Sequence, residues 1–395
     1  MQAPLSPDAL ELIERLIAFD TTSSHSNLEL IQFVAQWLQT HDIPVTLIHD
    51  ADGNKANLIA EFGPKDAPAI LVSGHSDVVP ADPADWSITE PFVPRQHQGR
   101  LYGRGSADMK GFIGIALNSL VKAKHRFQRN AVVLALSFDE ELGCLGAPLM
   151  LPHLRLQAHR LRGAIIGEPT LMRIGNAHKG HVAMRATVHG VGGHSGYPER
   201  GVNAIDVAAG LILEIRRLAE EKRLNTPPDH RFDPPWSTVH TGLIQGGSAL
   251  NKIPERCQLD FEMRTLPGQD SEEVLHRLSA AYPQAMPTEI QALAEQARLE
   301  LECVGQYPQL DEQRQGYINW LATLAQCDRS PVALGFGCEA GLFAGLGIPA
   351  LICGPGSIHQ AHLPDEYIEF DQLERCEQFF SRLVDALDDE LPIFD

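Results

Sequence analysis

Ser73-Gly74-His75-Ser76-Asp77-Val78-Val79 joins a buried strand to two polar groups. The residues before it, 68–72, are apolar or small and form a short run of the kind that fills a strand buried on both faces. That run ends in an imidazole, a spacer and a carboxylate, which places two polar groups at the mouth of a buried strand. His75 is expected to be the first ligand of a two-metal site. Asp77, two residues on and therefore on the same side of an extended backbone, is expected to accept the imidazole N–H, fix the tautomer and make the other ring nitrogen a better ligand.

The same pattern recurs downstream. A buried strand over 130–138 ends in Asp139-Glu140-Glu141, and another over 162–166 ends in Gly167-Glu168-Pro169-Thr170. Helices over 10–17, 27–40 and 112–124 alternate with these strands, and short strands over 45–48 and 57–62 precede them. Strands alternating with helices predict an α/β fold with a mainly parallel sheet. In such a sheet, ligand-binding groups gather at the carboxyl ends of the strands. His75 alone reads as a hydrogen-bonded residue, and Glu140-Glu141 or Glu168 alone as a solvated turn. Their recurrence at the ends of successive buried strands does not.

Between the first two strands lie a proline-rich loop over 80–98 and then Gly103-Arg104-Gly105-Ser106-Ala107-Asp108-Met109-Lys110-Gly111. A glycine-rich turn before a helix suggests a dinucleotide site, but Asp108 stands where the third glycine of that motif belongs and would repel a pyrophosphate. As a carboxylate, Asp108 can instead offer one oxygen to each of two metals. Two histidines with several carboxylates favour zinc, cobalt or manganese over calcium or magnesium. On extended backbone the neighbouring Glu140 and Glu141 point in opposite directions, so one can bind metal while the other acts as general base.

From about residue 182 the pattern changes. A strand over 182–188, a glycine-rich loop holding His194, a helix over 202–224, strands over 238–245 and 256–264, a helix over 271–281 and a strand over 299–304 give a β-α-β-β-α-β order. This predicts an inserted α+β domain over 182–305, with a discontinuous catalytic domain over 1–181 and 306–395. A helix over 316–327, a strand over 349–353 and a closing helix over 371–389 complete the catalytic domain.

Composition narrows the function. With 44% apolar and 21% charged residues, the chain reads as a soluble globular protein of two domains. The net charge of −19 and the lack of a basic cluster argue against nucleic acid. No apolar stretch is long enough for a membrane span, and the first residues do not read as a signal peptide, so the expected location is the cytoplasm. The 7 cysteines form no C-x-x-C pair, which fits a reducing compartment. No G-x-S-x-G occurs, which argues against a serine hydrolase.

Ser-Gly-His-Ser-Asp at 73–77, Gly-Arg-Gly-Ser-Ala-Asp-Met-Lys-Gly at 103–111, Asp-Glu-Glu at 139–141, Gly-Glu-Pro-Thr at 167–170 and Gly-His-Ser at 193–195 together resemble the di-zinc aminoacylase and carboxypeptidase family, which includes succinyl-diaminopimelate desuccinylase. The resemblance runs through nearly the whole chain in order. It implies a metal-dependent amidohydrolase with two Zn2+ per subunit, for which Co2+ can substitute. His75 and Glu168 would bind the first metal and Glu141 and His362 the second, with Asp108 bridging them and followed by a cis peptide. Glu140 would be the general base acting on the bridging water, with Asp77 orienting His75. His362 is preferred to His359 because it stands directly before Leu363-Pro364-Asp365-Glu366.

In the inserted domain, the resemblance makes His194 an oxyanion ligand that crosses a homodimer interface formed through this lid. Arg264 and Asn251 would hold the substrate carboxylate, and Glu339 is assigned to the substrate ammonium. The implied substrate is a small N-acyl amino acid. The tail, with Cys338-Glu339-Ala340 and residues 354–366, resembles the branch that acts on N2-acetyl-L-ornithine. Cys338, where that branch often has Thr, and His359, where it is often acidic, depart from its pattern near the substrate side chain. Other N-acyl amino acids, a carboxypeptidase activity and a non-catalytic binding protein are the alternatives. Glu168, where aminopeptidases of the family tend to have Asp, favours the deacylase and carboxypeptidase branch.

Overall fold

A computed structural model of the chain describes residues 4–270, 272–286, 293 and 295–394. The chain divides into two compact units. The first comprises Met1–Ala177, Leu310–Leu334 and Cys338–Asp395, and the second His178–Gln309 with Gly335–Gly337.

The first unit is an α/β layer structure. Its sheet has a parallel centre in which Ala69–His75 lies between Ala131–Ser137 and Leu161–Pro169, and Ala350–Gly354 continues on the far side of Leu161–Pro169. Antiparallel strands flank this centre: Val45–His49 and Ala56–Phe62 on one side, Gly175–His178 on the other. All seven residues of Ala69–His75 and of Ala131–Ser137 are buried, as their unbroken apolar and small character requires.

Helices Pro7–Ile17, Gly111–Lys122 and Phe370–Ala386 cover the sheet with side chains at helical spacing. Ile13, Leu16 and Ile17 meet Ile113, Leu117 and Leu120, and Phe379, Phe380 and Leu383 join the same core. Gly114 permits the close approach of the first two of these helices, since a Cβ there would lie 2.5 Å from Ile13 Cγ1. Gly74 plays a similar part under the site. A Cβ on it would lie 2.7 Å from Met109 Cε, so glycine lets the residue after Asp108 rest against the strand that carries His75.

The second unit is a four-stranded antiparallel sheet in the order Thr238–Gly246, Arg256–Thr265, Gly180–His189, Arg298–Tyr307. Val182, Met184, Ala186 and Val188 alternate inward along Gly180–His189 and pack with Leu211, Ile215 and Leu218 of helix Ala204–Asn225. A second helix, Glu273–Ala285, adds Val274 and Leu278 to this core; Ser271, the expected start of that helix, lies outside the described residues. Among the described residues, no helix is long and apolar enough to cross a membrane.

Candidate metal centre

The strand Ala69–His75 delivers His75 to the edge of the parallel centre, where it is 1% exposed. Its Nδ1–H donates to the main-chain carbonyl of Asp77 at 2.9 Å, which turns Nε2 toward the acidic cluster. The Asp77 carboxylate, expected to take this proton, stands beside it with its nearer oxygen 3.6 Å from Nδ1. The carboxylate is turned toward a different turn. It accepts Ser23 Oγ–H at 2.7 Å and the backbone N–H groups of Glu140 and Glu141 at 3.1 and 3.3 Å. Residues Thr21 to Ser23 hold their own place by pairing with the chain after His75: Ser23 N–H donates to Val78 O and Val78 N–H to Thr21 O.

Glu140 and Glu141 are not on extended backbone as the sequence suggested. Asp139 adopts a left-handed conformation, φ 50°, and the chain turns at once, with the Gly143 and Cys144 N–H groups returning to Glu140 O. Lys55 Nζ clamps the Asp139 carboxylate, and the Asp77 carboxylate holds the next two N–H groups, so the turn is fixed from both sides. The Cys144 thiol donates to Glu140 Oε1 at 3.5 Å.

Asp108 sits in a short irregular helical turn, Ser106–Lys110, and the Asp108–Met109 peptide is cis. Its two carboxylate oxygens face different imidazoles. Oδ1 is 2.9 Å from His75 Nε2, and Oδ2 is 3.2 Å from His362 Nε2. Glu168, near the end of Leu161–Pro169, reaches within 3.8 Å of His75 Nε2, and Glu141 lies 3.1 Å from His362 Nε2. The donors thus form two sets, His75 with Glu168 and His362 with Glu141, joined by the Asp108 carboxylate. Glu140 stands beside the first set: ligand atoms of His75, Glu140 and Glu168 lie within 4.8 Å of one another.

The electrostatics of this cluster call for a cation. Burial pushes Glu168 and Glu140 well above the usual carboxylate range, and the surrounding carboxylates push them further. Burial and Asp108 raise Glu141 as well. Burial also works against Asp108, but the hydrogen bonds from His362 and His75 hold its pKa below the usual value. Hydrogen bonds to Asp108 and Glu141 lift His362 to about 10. Glu168 Oε1 is buried with no hydrogen-bond partner. Four clustered carboxylates, two imidazoles and an orphaned acceptor suit divalent cations that take nitrogen and oxygen ligands.

Glu339 departs from its expected place at a substrate ammonium. It is 1% exposed, and its carboxylate accepts a hydrogen bond from Ser73 Oγ, so it is enclosed by the protein. His359 is exposed, and its backbone N–H donates to Ser357 Oγ. Ser23, Lys55, Cys144, Arg104 and Glu366, which support the cluster, were not among the expected site residues.

His194, Asn251 and Arg264 belong to the second unit. His194 pairs with Lys252 in a two-stranded ribbon, and Ser195 N–H donates to Asn251 O at 3.1 Å. The Gly196 N–H donates to His194 Nδ1 at 3.0 Å, which assigns the ring proton of a neutral imidazole to Nε2. The imidazole is exposed. Arg264 presents its Nε and Nη2 edge to the Glu262 carboxylate at 3.1 and 3.3 Å, and His181 Nε2 meets the same carboxylate at 2.8 Å.

The model of peptidase family M20/M25/M40 matches residues 71–386. An acetylornithine deacetylase of Myxococcus xanthus is 34% identical over 377 residues, covering 94% of this chain and 95% of the relative. One from Proteus mirabilis is 32% identical over 393 residues, with 96% of each chain covered. Among solved structures, an M20 family metallo-carboxypeptidase from Sulfolobus solfataricus has a TM-score of 0.75 at 16% identity, covering 97% of this chain and 100% of that one. A dinuclear metal-binding peptidase of the family from Bacillus subtilis has a TM-score of 0.63 at 15% identity, covering 95% and 96%.

Proposed function

The chain belongs to peptidase family M20/M25/M40 and is a hydrolase, and from that premise we propose that it removes the acetyl group of N2-acetyl-L-ornithine, giving L-ornithine and acetate. The observation that carries the reaction is the pair of donor sets joined by Asp108, with Glu140 beside them. The substrate rests on the full-length similarity to curated acetylornithine deacetylases.

In this reading His75 and Glu168 hold one divalent cation, Glu141 and His362 hold another, and Asp108 serves both. Zinc would fill both positions, and cobalt could replace it. Cations held by these residues would supply Lewis-acid polarisation of the scissile carbonyl and a lowered pKa for an attacking water. Glu140 takes the proton of that water and passes it to the leaving amine, acting as base and then as acid. Its carboxylate is steered by the Cys144 thiol, while Asp77 holds its main chain.

His194 donates its Nε2–H to the developing oxyanion, and as a residue of the lid it acts on the partner subunit of a homodimer. Arg264 uses its remaining guanidinium edge on the substrate carboxylate, with Asn251 beside it. The seven free cysteines are in keeping with a cytoplasmic enzyme.

The test is zinc content by metal analysis, followed by free-amine release from a panel of N-acyl amino acids. We expect two zinc ions per chain and the highest kcat/KM for N2-acetyl-L-ornithine. A preference of about tenfold or more for acetylcitrulline or succinyl-diaminopimelate would overturn the substrate, and fewer than two metal ions would overturn the mechanism.

A further inference from the structure

We infer that Glu366 is a positioning residue: it fixes Asp108, and with it the joint between the two metal positions, by holding the backbone of the turn that carries Asp108. The inference rests on the reading above that Asp108 serves both cations.

Glu366 is 1% exposed, and four donors converge on its carboxylate. Oε1 accepts the N–H groups of Ala107 at 2.9 Å and Asp108 at 3.1 Å. Oε2 accepts the Gly105 N–H at 2.9 Å and Arg104 Nη1 at 2.8 Å. The convergence of backbone N–H groups is possible because Gly105 takes a left-handed conformation, φ 83°, which curls the turn around an anion. The Gly103 N–H donates to the main-chain oxygen of Glu366 at 3.0 Å, so the two segments are joined by backbone as well as by side chain.

A buried carboxylate is costly without a counter-charge, and Arg104, itself 3% exposed, supplies one. The guanidinium is held in turn by the Trp86 ring, 5.4 Å from its centre. A simple structural ion pair would need only Arg104. The additional grip on two consecutive N–H groups, one of them that of Asp108, fixes the Asp108 backbone.

The position of Glu366 in the chain makes that grip consequential. It lies four residues after His362, so the loop that presents His362 is anchored to the turn that presents Asp108. Asp108 has one oxygen for each imidazole, at 2.9 and 3.2 Å, and a backbone slip of about 1 Å would spoil one of the two contacts.

The experiment compares the full chain with Glu366→Asp and Glu366→Gln. Each is stripped of metal and titrated with zinc against a competing chelator, then assayed at zinc saturation for kcat and KM and melted. Glu366→Asp keeps a partner for Arg104 but draws the carboxylate back by one methylene. We expect it to melt within a few degrees of the parent, to bind its second zinc at least about tenfold more weakly, and to lose at least about tenfold in kcat with KM within about twofold. Glu366→Gln should show the same losses with a lower melting temperature, because Arg104 is left unpaired.

Parent-like zinc affinity and kcat in Glu366→Asp overturn the inference. So does a Glu366→Asp chain that does not fold, or one that loses both zinc ions only in step with unfolding. The zinc titration needs no substrate: a parent chain that binds two zinc ions but releases no amine from N-acyl amino acids overturns the proposed reaction, while the zinc comparison still decides the role of Glu366.

Discussion

Asp77→Asn should lower turnover while leaving the metal in place. In the parent, the Asp77 carboxylate accepts three hydrogen bonds, from Ser23 Oγ at 2.7 Å and from the Glu140 and Glu141 N–H groups at 3.1 and 3.3 Å. An Asn side chain has one acceptor oxygen and an NH2 group, so at least one donor is left facing another donor in a buried site. An unmet buried donor costs about 1 to 3 kcal/mol, and the turn can relieve that cost by moving the Glu140 peptide. If about 2 kcal/mol of this appears in the transition state, kcat falls roughly thirtyfold. His75 keeps its bond to the Asp77 main-chain carbonyl, so zinc content should stay at two per chain. The assay is steady-state hydrolysis at saturating zinc, with metal analysis of the same sample. A variant within about threefold of the parent kcat, or one whose loss is restored fully by added zinc, would refute the reasoning.

Three other perturbations have defined outcomes. Glu140→Gln should retain both metal ions yet lose at least about a hundredfold in kcat, the scale of a general base; a metal-replete variant with a near-parent rate would remove Glu140 from that role. His194→Ala should lower kcat by about a hundredfold at unchanged zinc content, and mixing it with a metal-site variant in a dimer should restore part of the activity if His194 acts on the partner. His178 is fully buried, its Nε2 has no partner, and burial pulls its pKa from 6.5 to about 4. The unfolded chain therefore binds a proton that the folded chain does not between these values, so stability should fall as pH drops from about 6.5 to about 4, by about 3 kcal/mol in all. His178→Phe should flatten that slope in urea unfolding series; an unchanged slope would contradict the buried neutral imidazole.

The parallel centre was legible because its strands are unbroken apolar runs that end abruptly in His75, in Asp139-Glu140-Glu141 and in Glu168. Composition alone marks where such a strand leaves the core. The strand expected over 182–188 likewise lies within Gly180–His189. Side-chain direction was less legible. The two-residue spacing of His75 and Asp77 put their side chains side by side, but it carried no sign that the chain turns at the strand end to pair with Thr21 and Ser23, 54 to 57 residues earlier, which aims the carboxylate at Glu140 and Glu141 as well.

The left-handed Asp139 broke the extended geometry assumed for the acidic pair. Glu339 was misplaced because its partner, Ser73, is 266 residues away and looked like an ordinary strand residue. Glu366 stood in the run used to choose His362 over His359, yet its hold on Asp108 spans 258 residues and leaves no local pattern.

The central claim is that two cations share Asp108. Anomalous X-ray diffraction at the zinc edge from zinc-loaded crystals tests it most directly. Two peaks are expected, each about 2.0 to 2.2 Å from a different Asp108 oxygen, one also bound by His75 and Glu168 and the other by Glu141 and His362. A single peak, or a second peak bound by His359 in place of His362, would contradict it.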